Sequence, residues 1–87
     1  METRVAVISI IVENEKVIEE LNHLLHENGK FIIGRMGIPY REKGINIISI
    51  AIDAPQDIIS ALSGKIGRLK GVSTKTAYSN VITKATV

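Results

Sequence analysis

Isoleucine and valine dominate the apolar part of this chain, 16 and 7 residues against 5 leucines. Branching at Cβ stiffens χ1, crowds a helix and suits a pleated surface, so the core is expected to be built on a sheet. Two runs carry most of that composition, Arg4 to Val12 (RVAVISIIV) and Ile45 to Asp53 (INIISIAID). Each is long enough to cross a small domain, and both read as central strands.

At 87 residues there is room for one core. A domain this small buries only roughly 60% of the surface its unfolded chain exposes, and further stabilisation comes from disulfides, a metal or association. The chain has no cysteine. That removes disulfides, thiolate zinc and iron–sulfur sites and thiol nucleophiles, and leaves self-association as the favoured route. No basic-then-apolar segment opens the sequence and no apolar run reaches the ~18 residues of a membrane span, so a cytoplasmic protein without membrane contact is expected. Charge is unevenly spread: residues 1–29 hold 2 basic and 6 acidic side chains, residues 30–87 hold 9 and 3. The second part is a mildly basic surface able to attract anions or an acidic partner.

Between the two runs, Val17, Ile18, Leu21, Leu24 and Leu25 recur at helical spacing over Glu15 to Asn28, with Asn14 as N-cap and Gly29 as the stop. Lys30 to Ile38 returns as a strand, and Arg41 to Gly44 turns into the second central strand. After it, Pro55 suits a first helical turn, and Ile58, Ile59, Leu62, Ile66 and Leu69 mark a second helix. Val72 to Ser79 alternates polar and apolar residues as an edge strand. The order β-α-β-β-α-β implies an α+β, ferredoxin-like sandwich, a four-stranded antiparallel sheet with two helices on one face. Residues 1–79 form this single domain, and residues 80–87 are expected to be a tail or an added edge strand.

Strand alternation predicts what the other sheet face shows. If Ala6, Ile8, Ile10 and Val12 face the helices, Val5, Val7, Ser9 and Ile11 point outward. In the second run Ile48, Ile50 and Ile52 go inward while Ile45, Ile47, Ser49 and Ala51 go outward. A face of Val, Ile, Ala and Ser is too apolar for water, and a homo-oligomer, dimer or tetramer, packed through it is expected.

Three segments invite a chemical reading. Glu19, His23 and His26 lie three and four residues apart on the first helix, an array that would suit a metal, yet they point away from the leucine stripe and read as solvated residues; no metal or cofactor is expected. Gly34-Arg35-Met36-Gly37-Ile38-Pro39-Tyr40-Arg41 places two glycines inside a strand, where they mark a bulge or a close approach. Arg35 and Arg41 suit a carboxylate or phosphate, and Tyr40 a stack or hydrogen bond; the structural alternative is a bulged edge strand with solvated arginines. Gly64-Lys65-Ile66-Gly67-Arg68 falls at a helix end, whose partial charge repels anions, so its glycines are read as packing positions. Asp53 and Asp57 sit at a helix start as caps, and Ser9 and Ser49 have no histidine beside them. The protein is therefore read as no enzyme. Base-stacking aromatics are missing from the sheet face, so nucleic-acid binding through the basic 30–87 surface is the weaker alternative.

The stretches RVAVISIIVEN, GRMGIPY, IDAP and ISALSGKIGRLKGVSTKTAYS resemble the family of iron-only hydrogenase system regulators, over roughly residues 4 to 79. That family is similar in fold to ACT domains and to the nickel-binding C-terminal domain of the nickel-responsive regulator. The resemblance implies a regulatory, oligomeric, non-catalytic domain acting with a hydrogenase-system protein. The chain departs from those relatives: Glu13-Asn14-Glu15-Lys16-Val17 lacks the glycine of amino-acid-binding ACT turns, and no histidine or cysteine falls on an expected strand to bind nickel. If a small ligand binds, it is expected at Asn14, Gly34, Arg35, Gly37, Tyr40 and Arg41, at a subunit boundary.

Overall fold

The computed structural model describes residues 2–84. β1 (Glu2–Val12) leads through a 3₁₀ turn (Glu15–Val17) into α1 (Ile18–Glu27), and β2 (Ile32–Tyr40), β3 (Ile45–Ala54), α2 (Gln56–Gly67) and β4 (Val72–Lys84) follow. The sheet order is β2-β3-β1-β4, with every neighbour antiparallel. This is the ferredoxin-like sandwich expected from the order of elements. The two Ile/Val runs are its central strands, as their apolar character requires.

Alternation decides the core. Ala6, Ile8, Ile10 and Val12 of β1 and Ile48, Ile50, Ile52 and Ala54 of β3 are buried, and Leu21, Leu25, Ile59, Leu62 and Ile66 close over them from the helices. Only aliphatic side chains occupy that layer; no polar or charged residue is buried among the described residues.

Boundaries depart from the periodic pattern where local hydrogen bonds intervene. The first helical turn is 3₁₀, because the Val17 N–H donates to the Asn14 carbonyl at 3.2 Å, and Asn14 caps it by accepting from the Lys16 N–H at 3.1 Å. β2 begins at Ile32 rather than Lys30, since the Phe31 N–H donates to the Asn28 carbonyl and makes a second 3₁₀ turn. Asn28, not a left-handed glycine, ends α1, its side-chain amide donating to the Leu24 carbonyl at 2.9 Å. Pro55 is the N-cap of α2 and precedes its first turn. Gly44 ends the β2–β3 turn with φ +63°, the left-handed region that glycine enters without a Cβ clash.

The largest difference is in β4, which continues past Ser79 to Lys84 and pairs Glu2 with Lys84. Residues 80–84 are thus neither a tail nor a separate strand; residues 85–87 lie outside the described residues. A register shift opposite Arg4 to Ala6 allows the extension. Arg4 pins it: its Nε donates to the Ser79 carbonyl at 2.7 Å, its guanidinium reaches the Gln56 Oε1 at 3.0 Å, and it lies 4.9 Å over the Tyr78 ring.

Candidate functional site

The feature that most needs a partner is the sheet face opposite the helices. Its side chains fall into rows across the strands, set by register. One row is Ile38, Ile47, Ile11 and Ser73; the next is Met36, Ser49, Ser9 and Lys75; the third is Gly34, Ala51, Val7 and Ala77. Tyr40 and Ile45 extend the bulky end, and Val5 and Asp53 the other. The charges, Lys75 and Asp53, stand on the outer strand and at the far end.

This face is uncovered in the single chain: Val7 is 38% exposed, Ile47 40%, Ile11 43%, Ile38 48% and Met36 60%. Contiguous aliphatic exposure of this kind marks an interaction surface. The outward orientation anticipated for Val5, Val7, Ser9, Ile11, Ile45, Ile47, Ser49 and Ala51 is the one the register produces. Sequence reading left out the β2 contribution, Met36, Ile38 and the aromatic Tyr40, so the face does carry one aromatic; the parity of an edge strand interrupted by glycines is hard to fix. The relief is uneven: a hollow of about 280 Å³ opens between the second and third rows, lined by Val7, Gly34, Arg35, Met36, Ser49 and Ala51.

The residues singled out for a ligand do not converge within one chain. Gly34 and Tyr40 share the outer face, whereas Arg35 and Gly37 pair with buried Ile50 and Ile48 and so point to the helix side. Arg35 Nη2 donates to the Asn22 Oδ1 at 3.1 Å and borders a hollow of about 460 Å³ with Asn22, Leu25, His26, Gly29 and Ile32. Asn22 and His26 are the polar groups beside Arg35 that the ligand set did not include; helical spacing from the Leu21 and Leu25 stripe was the available signal. The Tyr40 hydroxyl donates to the Glu42 Oε2 at 3.1 Å, and Arg41 sits in the turn that follows. Asn14 is engaged as the cap described above.

Of the two glycines of β2, Gly34 adjoins a bulge, whereas Gly37 keeps regular register opposite Ile48. The register slips between Ile32 and Gly34, and beyond the adjoining residues no atom of the described chain lies within 4 Å of a Cβ built on Gly34 or Gly37. The close approach that would explain them is not made inside this chain. On α1, His23 Nε2 meets the Glu27 Oε1 at 2.8 Å on an exposed surface, and no group of three metal-binding side chains gathers among the described residues. The basic residues of the second part fall on several elements: Lys65 on α2 with Arg68 beside it, the two lining one hollow against Glu19 and Glu20 of α1, Arg41 and Lys43 in the β2–β3 turn, and Lys75 on β4. No helix among the described residues is long and apolar enough to cross a membrane.

Comparison with known proteins bears on the fold and the family. The model of the TM1266-like family, described as "Iron-only hydrogenase system regulator, putative", matches residues 4–76. The chain belongs to this family. The solved structure of the uncharacterized protein TM1266 from Thermotoga maritima is 38% identical, with a TM-score of 0.84 over 87% of this chain and 96% of that one. CPII from Thiomonas intermedia K12, a nitrogen regulatory PII-like protein in its apo form, aligns with a TM-score of 0.63 at 14% identity, over 97% of this chain and 98% of that one. A formyltetrahydrofolate deformylase from Pseudomonas putida KT2440 gives 0.66 at 12% identity, over 88% of this chain and 29% of that one. At those identities the likeness is one of fold. No curated protein matches the chain. The family is described as one of regulators, as the resemblance in GRMGIPY and its neighbouring stretches implied.

Proposed function

We propose that this protein is a non-catalytic regulatory domain of an iron-only hydrogenase system, that it works as a homo-oligomer closed through its outer sheet face, and that a small ligand or partner protein of the system is read at the subunit boundary. The uncovered aliphatic face carries this reading. Four strands about 4.8 Å apart and eight residues of about 3.3 Å each give roughly 500 Å² in plan, and side-chain relief raises this toward the ~800 Å² per partner of a stable interface. At ~25 cal/mol per Å², covering a few hundred Å² of it contributes several kcal/mol before association costs, comparable to a small domain's whole stability. A second copy is the simplest occupant, because its patch has the same apolar chemistry. A boundary there also brings Gly34 and Tyr40 of one copy against another chain.

The test is made in cells that carry the hydrogenase. Deleting the gene is expected to change hydrogenase level, and the wild-type chain to restore it. Ile47→Lys, which places a charge in the centre of the face, is expected to fold but not restore it. Hydrogenase levels indifferent to the deletion would remove the regulatory reading; full restoration by Ile47→Lys would remove the oligomer from it. For the ligand, thermal shifts given by a small molecule bound at this boundary are expected to vanish in Tyr40→Phe and to survive in Arg35→Ala, whose side chain lies on the helix side.

A further inference from the structure

The outer face has an internal asymmetry that selects one way of pairing two copies. Ile38, Ile47 and Ile11 form a raised row; four residues along each strand, Gly34, Ala51 and Val7 form a low one. The row between them holds the directly opposed Ser49 and Ser9. Facing sheets pack about 10 Å apart across an interdigitated layer, so raised rows must meet low rows if the gap is to be uniform.

Two in-plane two-fold axes are available. An axis parallel to the strands lays each row on the same row of the partner: isoleucines collide with isoleucines, and the small residues face one another across a void. An axis along the serine row reverses the strands instead. Each raised row then enters the partner's low row, and the serines meet across the axis, where each hydroxyl finds a donor or acceptor in a contact that is otherwise apolar. The same axis sets Met36 against the partner's Met36 and Lys75 against the partner's Lys75; the lysines fall at the edge of the contact, where their ammonium groups can diverge into water.

We propose that two copies of this chain pair face to face about a two-fold axis running along the Met36, Ser49, Ser9, Lys75 row, with the isoleucines of one copy seated in the Gly34–Ala51–Val7 hollow of the other. This rests on the self-association proposed above and adds its geometry. It also accounts for Gly34: beyond the adjoining residues no atom of the described chain comes within 4 Å of a Cβ there and its φ is not positive, so the residue is kept small by the partner's Ile38.

The chain lacks cysteine, so single-cysteine variants report one position each. Treated with a short bismaleimide, Ser49→Cys is expected to form a covalent dimer. Ile47→Cys alone is not, since in this pairing its two copies lie about 13 Å apart along the strands in addition to the gap between sheets. Ile47→Cys refolded together with Ala51→Cys is expected to cross-link as the mixed pair. Self-linking of Ile47→Cys as efficient as that of Ser49→Cys would overturn the proposed axis. So would failure of Ser49→Cys to link while light scattering still gives a dimer. A monomer by light scattering would overturn the self-association itself, and the two failures are thereby told apart. Independently, Gly34→Val is expected to weaken association at least tenfold with an unchanged circular dichroism spectrum, and association as tight as wild type would show that the hollow is not filled by a partner.

Discussion

At Gly71 the molecule has no room for even one more carbon. Its φ is +77°, and a Cβ there would lie 2.7 Å from the Cβ of Asn14. The Glu13 N–H donates to the Gly71 carbonyl at 2.7 Å, so the turn out of β1 and the turn into β4 are held together at this point. Gly71→Ala combines a disfavoured dihedral with a clash against backbone-anchored atoms and is expected to cost ~2–3 kcal/mol. Asn14→Ala removes only the cap, about 1 kcal/mol. Urea denaturation of both variants checks the order, and equal midpoints would contradict it. Asn14 was legible as a cap because it directly precedes an apolar helical period. Gly71 was not, since what constrains it is a residue remote in sequence.

At the scale of elements, alternation in β1 and β3 was legible because both strands are long and one face is wholly aliphatic. Strand ends were not: the β4 extension depends on Arg4 reaching Ser79 and Gln56, contacts between distant parts of the chain. The same alternation separates the ligand candidates, since adjacent residues such as Gly34 and Arg35 leave a strand on opposite faces. A run that looks compact as text is thus divided by the sheet. In α2 the two glycines differ. A Cβ at Gly64 would meet only the Arg68 guanidinium at 3.6 Å, whereas at Gly67 it would come within 3.3 Å of the Thr74 Cγ2 on β4. The expectation that these glycines serve packing therefore suits Gly67. Gly64→Ala is expected to raise stability by about 0.5–1 kcal/mol through helix propensity, and Gly67→Ala to gain less. Thermal melts of the two variants measure the difference; a destabilised Gly64→Ala would show that the position serves something outside its own helix.

For the whole molecule, a core confined to one side of a single sheet leaves the other side without cover. The chain's size and lack of cysteine made association the favoured remedy, and the structure shows which surface is available for it. Because that surface is largely aliphatic and its central residues are uncharged, association should persist when salt is raised, unlike contact with a nucleic acid, which weakens steeply. The most direct test is the native mass of the untagged protein by light scattering at low micromolar concentration, in low and high salt. The account predicts at least twice the 9.5 kDa of one chain under both conditions, falling to 9.5 kDa in Ile47→Lys. A monomer for the wild type would contradict it.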